Sequence, residues 1–196
     1  MKYILAIIFI TSLFTARGSV TTYHYPSEVR KSDKYEITII QKGKPYTSYI
    51  HFSQCPGMND PSEKVLPMLV DRTMSWTNFS FNDGPVDIVV KKLFGEISKE
   101  VQITPKRYGA RIKWIDGQSV CFTLDKPEYL SVNFICSENN DEFNQIRHGL
   151  MICADEPESD LPDLNSKNLV RYAPDADLLN AKTIYFGPGV YDLTKE

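Results

Sequence analysis

Val86-Asp87-Ile88-Val89-Val90-Lys91 and Tyr129-Leu130-Ser131-Val132-Asn133-Phe134-Ile135-Cys136 decide the fold class. In the first stretch Val86, Ile88 and Val90 point one way. In the second, Leu130, Val132, Phe134 and Cys136 do so, with Ser131 and Asn133 opposite them. Successive side chains alternate across a strand. A period of two with one polar face therefore marks a strand half buried in an antiparallel sheet. Similar β-branched and aromatic runs recur at residues 21–25, 35–41, 46–52, 74–81, 101–104, 111–115, 119–124, 150–154, 169–172 and 183–186. Pro, Gly, Asn and Asp separate them, and apolar stripes at helical spacing are scarce. Many short strands with regular turn signals predict an all-β antiparallel β-sandwich. Asp116-Gly117 is a hairpin turn signal, and residues 42–44 and 82–85 serve the same purpose less specifically. One helical turn is expected over residues 61–68, limited by Pro67.

The chain's 196 residues allow one domain and a small appendage, and are too few for a (β/α)8 barrel. Its 42% hydrophobic content excludes a disordered chain. A net charge of −3 and a pI near 5.7 argue against a nucleic-acid partner.

Lys2 followed by the apolar run at residues 4–14 (ILAIIFITSLF) matches a secretory signal and is too short to span a membrane. Ala16-Arg17-Gly18 places small residues for cleavage before Ser19. The expected organisation is therefore a signal over residues 1–18, a β-sandwich over 19–182 and a lead-out over 183–196. The expected location is secreted or periplasmic, with no membrane association after cleavage.

Export bears on Cys55, Cys121, Cys136 and Cys153. An even count permits two disulfides with three possible pairings. The competing reading takes most of them as small buried apolar residues, because Cys121, Cys136 and Cys153 sit in strand-like runs. No C-x-x-C is present, so neither zinc nor redox chemistry is indicated.

No catalytic motif emerges. His24, His51 and His148 show no metal-ligand spacing, and G-x-S-x-G, P-loop and G-x-G-x-x-G patterns are absent. No cofactor and no resident metal are expected. The acidic stretch 155–163 (DEPESDLPD) reads as a solvated loop, with a weak Ca²⁺ site as the sharper alternative. Trp76 and Trp114 are the candidate carbohydrate contacts, since sugar faces stack on flat rings; a core role competes for each. Asn78-Phe79-Ser80 is the sole N-x-S/T sequon.

Two stretches carry a family resemblance. One is VQITPKRYGARIKWIDGQSVCFTLDKPEYLS at residues 101–131. The other runs from LMICADEP at 150–157 to TIYFGPGVYDL at 183–193. Their order resembles the N-terminal β-sandwich of secreted polysaccharide hydrolases with a right-handed parallel β-helix, the dextranase/isopullulanase and polygalacturonase-like enzymes. The resemblance covers about residues 85–193. It implies an accessory domain of an inverting glycoside hydrolase whose catalytic aspartates lie on a β-helix beginning where this chain stops. No catalytic residue is carried over. Arg111-Ile112-Lys113 and His148-Gly149 are similar to polygalacturonase motifs but stand in the reverse order and without the aspartate motifs. The expected partners are a polysaccharide and a β-helix catalytic domain. The alternatives are a stand-alone carbohydrate-binding or surface-adhesion module, and a small complete hydrolase.

Overall fold

The structure, a computed structural model, describes residues 20–54, 72–98, 100–106, 111–140, 145–160, 162–173, 175–179, 181–187 and 191. The expected signal and its cleavage point, Cys55 and the helical turn at 61–68 lie outside the described residues. The strands are β1 (Thr21–Thr22), β2 (Tyr35–Gln41), β3 (Lys44–Thr47), β4 (His51–Gln54), β5 (Thr73–Ser80), β6 (Val86–Lys92) and β7 (Glu100–Thr104). They continue as β8 (Arg111–Ile115), β9 (Ser119–Leu124), β10 (Tyr129–Ile135), β11 (His148–Asp155), β12 (Leu169–Arg171) and β13 (Thr183–Tyr185). None of the described residues is in an α-helix.

Two sheets carry the fold. The first runs β1-β5-β11-β10-β7, with β4 also on β5; the second runs β3-β2-β6-β9-β8. Ile39, Ile88, Val90 and Phe122 of the second sheet are fully buried in one cluster with Phe79, Val132, Phe134 and Ile152 of the first. Each such side chain contributes about 1.5–3 kcal/mol by leaving water. One core shared by two sheets is a sandwich, as the alternation predicted.

The structure adds what alternation does not encode. β11 pairs with β5 in parallel, from His148 opposite Thr73 to Asp155 opposite Ser80. The antiparallel expectation fails for that pair, because a period of two is the same in either direction. The run at 46–52 divides into two strands. β3 pairs with β2 in the second sheet and β4 with β5 in the first, so the chain crosses between sheets at Ser48–Ile50. Ser48 marks the crossing, its hydroxyl 2.6 Å from that of Thr77.

Turn chemistry is local. Lys42 and Gly43 both take positive φ, at 50° and 78°, as a two-residue hairpin turn between β2 and β3 requires. Between β8 and β9, Asp116 accepts from the backbone N–H of Ser119 at 2.7 Å, and Gly117 has φ of 88°. A side chain at 117 would also meet Ile97 Cγ2 at 2.3 Å.

β12 and β13 pair in parallel as a separate small sheet. Tyr172 stacks on Phe186 at 4.6 Å, and Tyr191 packs edge-on against both rings. Phe186 and Tyr191 thus pack on Tyr172, just past the end of β12.

Cys121, Cys136 and Cys153 are free thiols. This overturns the two-disulfide alternative, which needs all four cysteines. The inward reading of Cys136 is also corrected. Cys136 lies just past the end of β10, only partly buried, with its sulfur 3.6 Å from Lys92 Nζ.

Candidate functional site

Trp76 lies on the outer face of the first sheet. Its neighbours Ser75 and Thr77 point inward and are fully buried. Small hydroxyl side chains take the core side of β5 because partners wait there: Ser32 Oγ is 2.7 Å from Ser75 Oγ, and Thr77 donates to the Tyr49 carbonyl at 2.7 Å. The large residues Met74 and Trp76 are left on the outer side.

An aromatic group surrounds this position. His51 is opposite Trp76 across the strand pair, and the two rings stack at 5.0 Å with 12° between planes. Tyr25 and Tyr49 approach the imidazole at 4.3 and 5.1 Å. Tyr25 donates its hydroxyl proton to Asn78 Oδ1 at 2.9 Å, so the sequon's carboxamide is already engaged. Burial pushes the His51 pKa below the usual histidine range, against a hydrogen bond to Asn78 that raises it. The ring is neutral at neutral pH.

Opposite Trp76 on its other side is Met151. A groove of about 340 Å³ continues past Met74, Gly149 and Met151, with Gln54 and Arg72 also lining it. Met74 lies across Gly149: a Cβ there would stand 2.9 Å from the Met74 methyl. The outer face of the first sheet is thus a thioether and aromatic surface with polar groups at its margin. Such a surface can stack against the C–H faces of a sugar or pack on another apolar face.

Trp114 is on the other side of the sandwich. It occupies edge strand β8 opposite Cys121, and is 43% exposed. The register shifts between Ile112 and Trp114, so the bulged Lys113 interrupts the alternation along β8. Lys113 reaches Asp87 Oδ2 at 2.7 Å, and Thr123 donates to Asp87 Oδ1 at 2.7 Å. The two tryptophans are therefore on different sheets and form no common platform. Arg111-Ile112-Lys113 is likewise on the second sheet and His148-Gly149 on the first. His148 Nδ1 is 2.9 Å from Thr73 Oγ1, and its ring meets Phe94 edge-on.

Burial alone would raise the Asp87 pKa. The hydrogen bonds from Lys113 and Thr123 and the Lys113 charge outweigh it and hold the carboxyl below its usual range. A group with a depressed folded pKa stabilises above its unfolded pKa, and that stabilisation is lost as pH falls through the folded value. Asp87→Asn is thus expected to flatten the fall of Tm between about pH 5 and pH 3. A D87N protein that loses Tm as steeply as the parent would refute the assignment.

No group of three or more His, Cys, Asp or Glu suited to a metal occurs among the described residues. In the acidic stretch, Asp155 instead accepts the Tyr129 hydroxyl at 2.5 Å.

A family model for the glycosyl hydrolase family 49 N-terminal Ig-like domain matches residues 15–141. The chain belongs to that family. The match takes in the N-terminal half, where the residue-based resemblance did not reach, and stops before the YFGPGVYDL segment. Among solved structures, Dex49A from Penicillium minioluteum is similar to this chain with a TM-score of 0.57 and 19% identity. The match covers 79% of this chain and 34% of that one, so the chain spans about a third of that protein's length. At this identity the likeness concerns the fold. No curated protein matches the chain. The resemblance to an N-terminal domain of β-helix glycoside hydrolases is borne out. The sequence offered no signal for the partners of Trp76, because His51, Tyr25 and Tyr49 lie on separate segments.

Proposed function

We propose that this sandwich is the accessory, non-catalytic domain of an extracytoplasmic polysaccharide-hydrolysing enzyme, packing beside a β-helix that carries the catalytic carboxylates. The match of residues 15–141 to a glycosyl hydrolase N-terminal domain carries this reading. The local chemistry supports it. Asp87 is committed to Lys113 and Asp155 to Tyr129, which are structural roles rather than those of a free acid–base pair. The apolar run at residues 4–14 supports export.

Half-exposed Trp114, beside exposed Ile112 and Ile115 on an edge strand, favours a second reading as a carbohydrate-binding or surface-adhesion module. One experiment separates the readings. The purified chain is incubated with dextran, pullulan and polygalacturonate, and both reducing-sugar release and binding are measured. The accessory reading expects no release, and measurable release by pure protein overturns it. Saturable binding that weakens about tenfold or more on Trp76→Ala or Trp114→Ala would establish the second reading instead.

A further inference from the structure

Lys92 ends β6 with its side chain turned into the sandwich, and it is fully buried at 0% exposure. Its ammonium donates to the Phe94 carbonyl at 2.8 Å and to the Glu96 carbonyl. The third polar neighbour of Nζ is Cys136 Sγ, at 3.6 Å. No carboxylate forms an ion pair with Lys92 among the described residues. An ammonium out of water without a counter-charge is costly, and the sulfur is the nearest atom able to carry one.

Cys136 differs in this from the other described thiols. Burial pushes the Cys121 thiol up and Asp87 adds to it, with Lys113 acting against them; burial and Asp155 push Cys153 up. Cys136 is partly exposed, and its sulfur has the buried Lys92 nitrogen 3.6 Å away. On its other side is the Glu138 carboxylate. That group is held ionised first by its own backbone N–H, and further by the Glu96 N–H, the Ser137 hydroxyl and the Cys136 thiol. The Tyr35 phenol also borders the site. Burial, then the Cys136 charge, pushes it above its usual range, so it stays protonated and donates to the His148 carbonyl at 2.5 Å.

We propose that Cys136 is the reactive thiol of this chain, and that hydrogen peroxide converts the Lys92–Cys136 contact into a covalent nitrogen–sulfur bond. The thiolate attacks peroxide, forming an S–O bond as the O–O bond breaks, and the departing hydroxide takes a proton from the Lys92 ammonium and leaves as water, which makes that amine neutral. The sulfur is oxidised by two electrons and the peroxide is reduced. The neutral Lys92 amine then attacks the sulfenic sulfur. The N–S bond forms, the S–O bond breaks, and the amine proton departs with the hydroxyl as a second water. In net, thiol, amine and peroxide give a sulfenamide and two waters. β6 belongs to the second sheet and Cys136 follows β10 of the first, so the bond ties the two sheets together.

The test is intact-mass measurement of the protein before and after peroxide treatment. A disulfide gives the same mass change, so the measurement is also made on a Cys55→Ser, Cys121→Ser, Cys153→Ser variant that retains Cys136. The expected result is a loss of about 2 Da in both proteins, reversed by dithiothreitol, with a digest yielding one joined peptide containing Lys92 and Cys136. Tm is expected to rise by about 5 °C or more on treatment. If the triple variant fails to fold, the joined peptide from the parent protein decides alone. Stepwise gains of about 16 Da at Cys136, a disulfide-linked dimer, or an unchanged mass would each overturn the proposal.

Discussion

Phe134→Ala is expected to lower the unfolding free energy by about 3–5 kcal/mol. Phe134 is wholly buried in the shared core, on β10, opposite Val101 of β7. Its ring meets that of Tyr35, from the second sheet, at 6.4 Å. Truncation removes the transfer energy of the ring and leaves a cavity that strands on both sides hinder from collapsing. A domain of this kind has about 5–15 kcal/mol in all, so the variant should approach the edge of folding. Urea unfolding is the measurement: the midpoint should drop with little change in slope. A loss below about 1 kcal/mol would mean that the sheets do not meet through this ring.

Strand positions were legible because burial writes alternation directly into sequence. Runs such as Tyr35–Gln41 and Ser119–Leu124 coincide with the observed strands. Pairing partners were not legible. Nothing in His148–Asp155 says that it lies parallel to Thr73–Ser80, since the same face pattern serves both directions. Nor does the run around Ser48 announce a change of sheet, since crossing residues can be as β-branched and aromatic as strand residues. β5 reads deceptively: Ser75 and Thr77 are buried while Trp76 is outside. Hydroxyls on three separate segments satisfy one another there, and only the fold brings Ser32, Ser48 and Tyr49 to that strand.

The candidate surface was legible residue by residue and not as an arrangement. Trp76 and Trp114 stand out in any reading as flat apolar side chains, but their faces are assigned by inward-facing neighbours and by the bulge at Lys113. Lys92 and Cys136 give no local signal at all. Lys92 closes a strand in a polar Lys91-Lys92 pair, where a solvated side chain is the ordinary expectation, and Cys136 reads as a core residue. Their contact comes from the ends of β6 and β10 meeting at one end of the sandwich.

Asn139 is another residue whose weight appears only in the fold, and Asn139→Ala is expected to cost about 2–4 kcal/mol. The side chain is fully buried just beyond β10. Its Nδ2 donates to Asn133 Oδ1 at 2.9 Å and to the Phe134 carbonyl at 3.1 Å, while Oδ1 accepts from the His148 backbone N–H at 2.9 Å. It thereby fixes the first residue of β11, and with it the register of the parallel pair. Alanine deprives three polar groups of these partners. Asn139→Asp separates this from a packing effect, because the shape is kept while the two donors become acceptors. A buried carboxylate facing Asn133 Oδ1 and the Phe134 carbonyl would have a raised folded pKa, so its destabilisation grows as pH rises through that value. The aspartate variant should therefore be more stable relative to the parent at pH 4 than at pH 7, the opposite sense to the Asp87 contribution. Equal losses for the aspartate variant at both pH values would show that the two donor bonds do not hold the turn.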